Sequence, residues 1–281
     1  MTLLPPAASP STVRPRYWRP TAGLRTALTW LLAVDGAGAL ATAGAHLHRS
    51  MTIDDYRHGE ATLSQLRSAD DAVKTLTGLS SLVFLATAVV LIVWQWRSAK
   101  NNELLGRLRP RFSPGWSIGG WFIPFANLVI PLRIFHDLWQ GADPDTRNYR
   151  DWHGLRRWPV IGWWWFCYVL GGALQYSVAG DTTTLADLQR TDQVGVAARL
   201  FLAVAAGLAI VVVRTITRRQ EAAHDDRGPA IGIPAGPAWY VDPTSRYDHR
   251  YWDGTTWTAH VARAGEMSTD PPFEAGPAEA R

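Results

Sequence analysis

Cysteine and lysine are nearly missing from this 281-residue chain. Cys167 is the single cysteine, and only Lys74 and Lys100 among 28 basic residues are lysines. One cysteine closes no bridge within the chain, which excludes a disulfide-stapled secreted domain. Arginine carries nearly all the positive charge, and beside abundant alanine, glycine and tryptophan that preference reads as a coding bias. The net charge of +4 therefore says little about partners. No basic stripe carries the fold signature of a nucleic-acid reader, so nucleic acid is not an expected partner. Also missing are a phosphate loop, a G-x-S-x-G elbow and a paired histidine–glutamate helix motif. No cofactor and no reaction class is indicated, and the expectation is a protein that is not an enzyme.

Charge is absent from long stretches as well. Residues 76–96 contain no charged side chain, and 196–213 hold only Arg199, near the start, where a long side chain snorkels to an interface. A bilayer core about 30 Å thick takes roughly 20 mostly apolar helical residues. Four stretches meet that need, at about 26–45, 76–96, 158–179 and 196–213. These runs exclude a wholly soluble globular protein. They also account for the 15 tryptophans, whose half-polar rings favour membrane–water interfaces.

A fifth stretch, 118–139, is interrupted by Pro124, Asn127, Pro131, Arg133, His136 and Asp137. Counting Lys and Arg on each side arbitrates, because cytoplasmic loops carry the excess. If 118–139 dips into the membrane or lies on it, the cytoplasmic side holds 17 basic residues and the outer side five. If it crosses, the split is ten against 11 and the bias disappears. The expected fold is therefore an all-α membrane helix bundle of four transmembrane helices plus one broken re-entrant or interfacial helix. Both termini are then cytoplasmic at the plasma membrane. The first span reads as an uncleaved anchor and not a signal peptide, because it is long and interrupted by Asp35.

Residues 1–22 read as a proline-rich cytoplasmic tail, 23–219 as the membrane domain and 220–237 as a linker. A small tryptophan-rich β module at 238–263 and a polar tail at 264–281 complete the chain. Leu63, Leu66, Ala69, Val73 and Leu76 recur at three- and four-residue spacing, which predicts a helix running unbroken into the second span.

The most distinctive membrane stretch begins Arg111-Phe112-Ser113-Pro114-Gly115-Trp116. It continues through Gly119, Gly120, Trp121, Phe122, Ile123 and Pro124 to Asn127, Pro131, Leu138 and Trp139. Ser113-Pro114-Gly115 predicts a turn with positive φ at the glycine. Gly119 and Gly120 predict close backbone approach, and Pro124 and Pro131 predict a broken helix. Such backbone survives at membrane depth only where protein or a wet cavity covers it. With Trp96, Arg97 and Asn101 upstream and Trp163-Trp164-Trp165 downstream, this stretch resembles an uncharacterised family of multi-span membrane proteins found mainly in actinobacteria. That family is known as a domain of unknown function. The resemblance covers roughly residues 25–218 and implies a membrane bundle without an assigned reaction.

Asp35 is the one carboxylate in the middle of one of the four apolar spans, a placement costing roughly 3 kcal/mol on insertion scales. It reads either as a proton, cation or ligand site, or as a structural partner of a polar group such as Asn127, Arg133 or Gln175. His46, His48 and His58 gather near the outer end of the first span. Two-residue spacing turns His46 and His48 to different faces, so they are expected to be interfacial residues and no metal is expected. Cys167 reads as inert packing.

Near the C-terminus, Trp239-Tyr240-Val241-Asp242-Pro243 precedes Arg250-Tyr251-Trp252-Asp253-Gly254 and Thr255-Thr256-Trp257. Asp253-Gly254 predicts a two-residue hairpin turn. That register pairs Trp252 with Thr255 and Arg250 with Trp257, placing Arg250, Trp252 and Trp257 on one face in cation–π reach. Trp239 is expected on the same patch. The pattern resembles a second family, a short module of unknown function found in diverse bacterial membrane proteins.

The functional expectation is a non-enzymatic scaffold, sensor or regulator of the cell envelope. Its partners are membrane lipid and, through the C-terminal interaction module, a cytoplasmic protein. Two other readings stay open: a small transporter or channel using Asp35, and a membrane enzyme acting on lipid-linked substrates along Trp116–Trp139.

Overall fold

The computed structural model describes residues 18–105, 111–143, 158–177, 184–225, 237–242, 246–253 and 255–270. Residues 18–225 form a helical unit, and the C-terminal residues form a separate small sheet.

Three long helices dominate the first unit: α1 (Ala22–His58), α2 (Leu63–Leu105) and α6 (Leu185–Asp225). Each is long and apolar enough to cross a membrane. Their limits follow from local chemistry. Gly59 at φ 78° ends α1 in the left-handed conformation that favours glycine. Thr62 and Gln65 then cap α2 reciprocally: the Thr62 N–H donates to Gln65 Oε1 at 2.7 Å and the Gln65 N–H to Thr62 Oγ1 at 3.4 Å. Thr184 and Asp187 repeat the device at the start of α6, at 3.2 and 3.1 Å. The expected unbroken helix from residue 63 is present, with Leu66, Ala69 and Val73 buried along it.

The buried faces of the long helices repeat every seven residues, the period that keeps one stripe of a helix against its neighbours. On α1 one row is Leu32, Ala39, His46 and Ile53, and the next is Leu28, Thr42 and Arg49, with half-buried Asp35 completing it. On α2 the row is Leu66, Val73, Thr87, Trp94 and Asn101, and on α6 it is Asp192, Arg199, Ala206, Val213 and Gln220. Outward-facing positions such as Leu79, Leu82, Leu85 and Val89 are apolar and exposed, as lipid-facing positions are.

The fourth expected span, 158–179, corresponds to α5 (Pro159–Ser177). It has 19 residues but is not among the helices apolar enough to cross by composition. Its tryptophans, with their polar N–H groups, and Gln175 lower its hydropathy. It packs on α6 through Gly171, where an added Cβ would lie 2.8 Å from Leu202 Cγ and 3.1 Å from the Ala198 carbonyl.

Between α2 and α5 the chain is broken as expected, with different details. Ser113-Pro114-Gly115 does turn, the Trp116 N–H reaching the Ser113 carbonyl at 2.9 Å. Gly115, however, sits at φ −60° and leads into the four-residue α3 (Trp116–Gly119), so no positive φ is used there. The positive φ falls on Phe125, at 62°, just before a 3-10 turn (Ala126–Leu128). Pro131 does not break α4 (Ile130–Gly141) but starts it, where a missing N–H loses no bond. Gly120 makes the close approach, an added Cβ lying 2.7 Å from Ile130 Cγ2, whereas Gly119 has nothing within 4 Å.

The C-terminal sheet is antiparallel in the order β1 (Ala238–Val241), β2 (His249–Trp252), β3 (Trp257–Arg263) and β4 (Glu266–Thr269). Three expected boundaries move. Helix α6 continues to Asp225, past the linker start at 220, because Gln220 and Ala223 remain buried. The module continues past 263 because β4 pairs with β3, Val261 opposite Ser268. The expected tail at 264–281 therefore begins inside the sheet. The expected N-terminal tail at 1–22 gives way to α1 at Ala22, and its first 17 residues lie outside the described ones.

Candidate functional site

The buried heptad rows carry polar groups in three layers. In the middle layer, Asp35 Oδ2 accepts the Thr87 hydroxyl at 2.5 Å. Thr42 and Ser80 lie nearby in the seam, their hydroxyls 3.4 Å apart. Among the described residues no hydrogen bond or ion pair joins Asp35 to Asn127, Arg133 or Gln175. Asn127 is half-buried within the 3-10 turn and Arg133 is exposed on α4. The expected three-residue polar site is therefore not assembled, because Asp35 faces α2 across the α1–α2 seam.

The second layer was not visible as a site in the sequence. Asp192 is fully buried, and Arg49 grips it from Nε at 3.1 Å to each oxygen and from Nη2 at 2.6 Å. His46 Nδ1 lies 2.7 Å from Asp192 Oδ1. The other arm of Arg49 reaches Asp70 at 2.5 Å, and Asp70 pairs with Lys74 at 2.6 Å. His46 is thus not an interfacial residue, whereas His48 and His58 are exposed. Among the described residues no group of three His, Cys, Asp or Glu is arranged to hold a metal ion. Cys167 is buried in the aromatic core, in keeping with packing.

The third layer lies at the opposite end of the long helices, where the broken segment docks. Trp121 Nε1 donates to buried Gln95 at 2.8 Å, and Trp165 Nε1 donates to the Leu128 carbonyl at 3.0 Å. Indole donors thereby satisfy this irregular stretch. Asn102 Nδ2 donates to the Asp137 and Leu138 carbonyls at 3.1 and 3.3 Å, and Gln220 Nε2 donates to Asn102 Oδ1 at 2.6 Å. Asp137 is buried and takes the Arg111 N–H on Oδ2 at 3.3 Å. Burial pushes its carboxyl up to about 6, against the opposing pull of the Arg111 charge and N–H and of Arg133. A cavity of about 20 Å³ adjoins it, lined by Asn102, Phe112, Ser117, Ile134 and Asp137, and takes a group no larger than a water molecule.

The other residues of the membrane motif mostly build this dock. Pro114, Gly120, Pro131 and Trp139 are buried, with Trp139 stacked on Trp158 at 6.0 Å and under the Arg219 guanidinium at 4.4 Å. Ser113, Gly115, Trp116 and Pro124 are exposed.

In the C-terminal sheet the motif residues have a different role from the one expected. Trp252 pairs with Trp257, and a register shift places Arg250 opposite Val261. The turn therefore occupies 253–256 and is not a two-residue Asp-Gly turn. Asp253 Oδ1 accepts the Thr255 and Thr256 N–H groups, each at 2.7 Å, and these bonds hold its carboxyl down at about 2. Among the described residues Arg250 makes no cation–π contact. It is buried, donating from Nε to Asp242 at 2.9 Å, from Nη1 to the Thr258 carbonyl at 3.0 Å and from Nη2 to Asp270. Asp242 Oδ2 also accepts the Tyr247 N–H at 3.0 Å. Trp252 and Tyr240 pack edge-on against Trp257, at 5.3 and 6.1 Å, and Trp239 packs against Tyr251 at 5.4 Å. The motif is thus largely a mini-core around one arginine and two carboxylates. Pro243 and Gly254 lie outside the described residues.

No curated protein and no solved structure matches the chain. A model of the family described as Protein of unknown function (DUF2510) matches residues 237–270 and ends on Asp270. A model of the family described as Domain of unknown function (DUF4328) matches residues 57–218, more than half of the chain, which therefore belongs to that family.

Proposed function

We propose that the chain is a four-span integral membrane protein, with α5 as the fourth span, residues 118–139 re-entrant or interfacial, and both termini cytoplasmic. It acts as a non-enzymatic scaffold or regulator of the cell envelope and presents the C-terminal sheet to a cytoplasmic protein. The observation that carries this reading is that two carboxylates between the long helices, Asp35 and Asp192, are each bonded to side chains of a neighbouring helix. Asp35 is bonded to Thr87, and Asp192 to Arg49 and His46. Carboxylates held in this way pin helices together. The sheet supports the reading too, since its charged core is its own.

Two measurements test it. A cysteine at Met267, which is 58% exposed, is introduced in a Cys167→Ser background and treated with a membrane-impermeant maleimide. Protection in intact cells with labelling after lysis is expected, and labelling in intact cells overturns the topology. Proteoliposomes of the full chain are expected to show no proton or cation flux above protein-free vesicles. A flux abolished by Asp35→Asn would replace the scaffold with the transporter reading.

A further inference from the structure

Among the described residues, the α1–α6 seam holds two buried side-chain nitrogens without a hydrogen-bond partner, Arg199 Nε and His46 Nε2. Arg199 is 9% exposed, its Nε has no hydrogen-bond partner, and among the described residues it forms no ion pair. His46 is 5% exposed, and with Nδ1 directed to Asp192 its Nε2 is also buried without a partner. A charged guanidinium whose Nε is buried without a partner is costly to hold in a bundle, and a ligand that accepts from it would relieve that cost.

Helix periodicity places the two groups on the same seam. Asp192 contacts α1 through His46 and Arg49, and Ala206 contacts α1 at Gly36, where an added Cβ would lie 3.5 Å away. Arg199 is seven residues from each and buried in the same row, so it faces α1 as well. The His46 ring lies on Gly195, its atoms 3.1–3.2 Å from where a Cβ would be. Gly195 is four residues before Arg199 and therefore one turn away on the same face. A long side chain on a helix lies over the turn N-terminal to its own Cα, which here is the turn under the imidazole. In the neutral tautomer whose Nδ1–H donates to Asp192, His46 Nε2 is an acceptor, so a donor fork and an acceptor nitrogen share one part of the seam. Arg49 and Lys74 are matched by Asp192 and Asp70, and Asp35 is held by Thr87, so among the described residues no carboxylate contacts Arg199.

We propose that this part of the seam binds one monoanionic phosphate group. Arg199 donates to its oxygens, and a hydroxyl carried by the same molecule donates to His46 Nε2. Two sources supply that chemistry: the headgroup of phosphatidylglycerol, with its phosphodiester and free hydroxyls, and dihydrogen phosphate from solution. The proposal does not rest on the scaffold reading.

The test is thermal unfolding of the full chain in nanodiscs of phosphatidylcholine, with and without inorganic phosphate, and in nanodiscs containing phosphatidylglycerol. The parent is expected to gain at least about 2–4 °C in Tm from one or both probes, and the responding probe identifies the source. Arg199→Gln is expected to lose that gain. His46→Asn, whose amide retains a donor to Asp192 while removing Nε2, is expected to lose most of it and carries the test if Arg199→Gln does not fold. A parent Tm unmoved by both probes overturns the site, as does a gain of equal size in the variants.

Discussion

Arg250→Met gives the sharpest test of how the C-terminal sheet is held. Methionine fills the stem of the arginine but removes a guanidinium that is 1% exposed. The change leaves the Asp242 and Asp270 carboxylates, 0% and 3% exposed, without their central partner. Among the described residues Asp270 keeps only the more exposed Arg246, at 2.6 Å, and the Thr258 carbonyl loses a donor. Breaking a buried pair costs about 3–5 kcal/mol, because the surviving charges stay out of water. A unit this small rarely has more than about 3–5 kcal/mol in total, so the loss matches its whole stability. Hydrogen exchange on the full chain reads this directly. Amides of the β2–β3 ladder should lose at least about a hundredfold of their protection, at tenfold per 1.4 kcal/mol. Helical peptides of α1 and α6 should keep theirs and serve as the internal control. Combining Arg250→Met with Asp242→Asn and Asp270→Asn removes all three charges and should recover part of the protection, since neutral replacements of a whole buried triad are tolerated better than broken ones. Protection in Arg250→Met within threefold of the parent would refute the reasoning.

Gly171→Ala puts a methyl group 2.8 Å from Leu202 Cγ and 3.1 Å from a carbonyl, and should lower stability to heat by about 1–3 kcal/mol; Gly172→Ala meets nothing within 4 Å and should leave it nearly unchanged. Asp137 is pushed up to about 6 from 3.8, so the folded state holds its proton longer, and the associated stability is present at low pH and lost as pH rises through 6. Asp137→Asn should therefore remove a decline between about pH 4 and 6 and be more stable at pH 7 by roughly 2–3 kcal/mol, as read by unfolding at several pH values. Asp253 is held down at about 2, so its contribution is present above about pH 4 and lost as pH falls through 2. Nuclear magnetic resonance of the Thr255 and Thr256 amides should show that step in the parent and not in Asp253→Asn.

Much of this fold is written in composition and period. The α2 helix is readable because Leu66, Ala69 and Val73 keep helical spacing where the chain is still polar. The broken dock is readable because two prolines and a Gly-Gly pair interrupt an apolar run. Its details are not, since Pro131 breaks or starts a helix depending on where the preceding turn ends, and Phe125 took the strained φ that the sequence offered to Gly115. The hairpin failed for a related reason. Asp-Gly favours a two-residue turn, but the Asp253 carboxylate captures the Thr255 and Thr256 N–H groups, and that local competition moves the turn one residue along, with the Asp253 N–H donating to the Thr256 carbonyl. Alternation alone puts Arg250 on the tryptophan face, because its partner Asp270 lies 20 residues along the chain and beyond the expected edge of the module.

The polar seam shows where sequence reading looks in the wrong place. A charge inside an apolar run stands out, so Asp35 attracted the functional expectation. Arg49 and Asp192 lie just past the ends of their apolar runs, where charge is ordinary and carries no signal by composition. Their signal is phase. Arg49 is two heptads from Asp35, and Asp192 is two heptads from Ala206, so each continues a buried stripe beyond the point where hydrophobicity fades. A charge in phase with a buried stripe must be compensated, by a residue of the chain or by a group from outside. Arg49 and Asp192 compensate each other. Among the described residues Arg199, in the same row, has no counterion, and that row, not the lone carboxylate of the first span, is where a ligand should be sought.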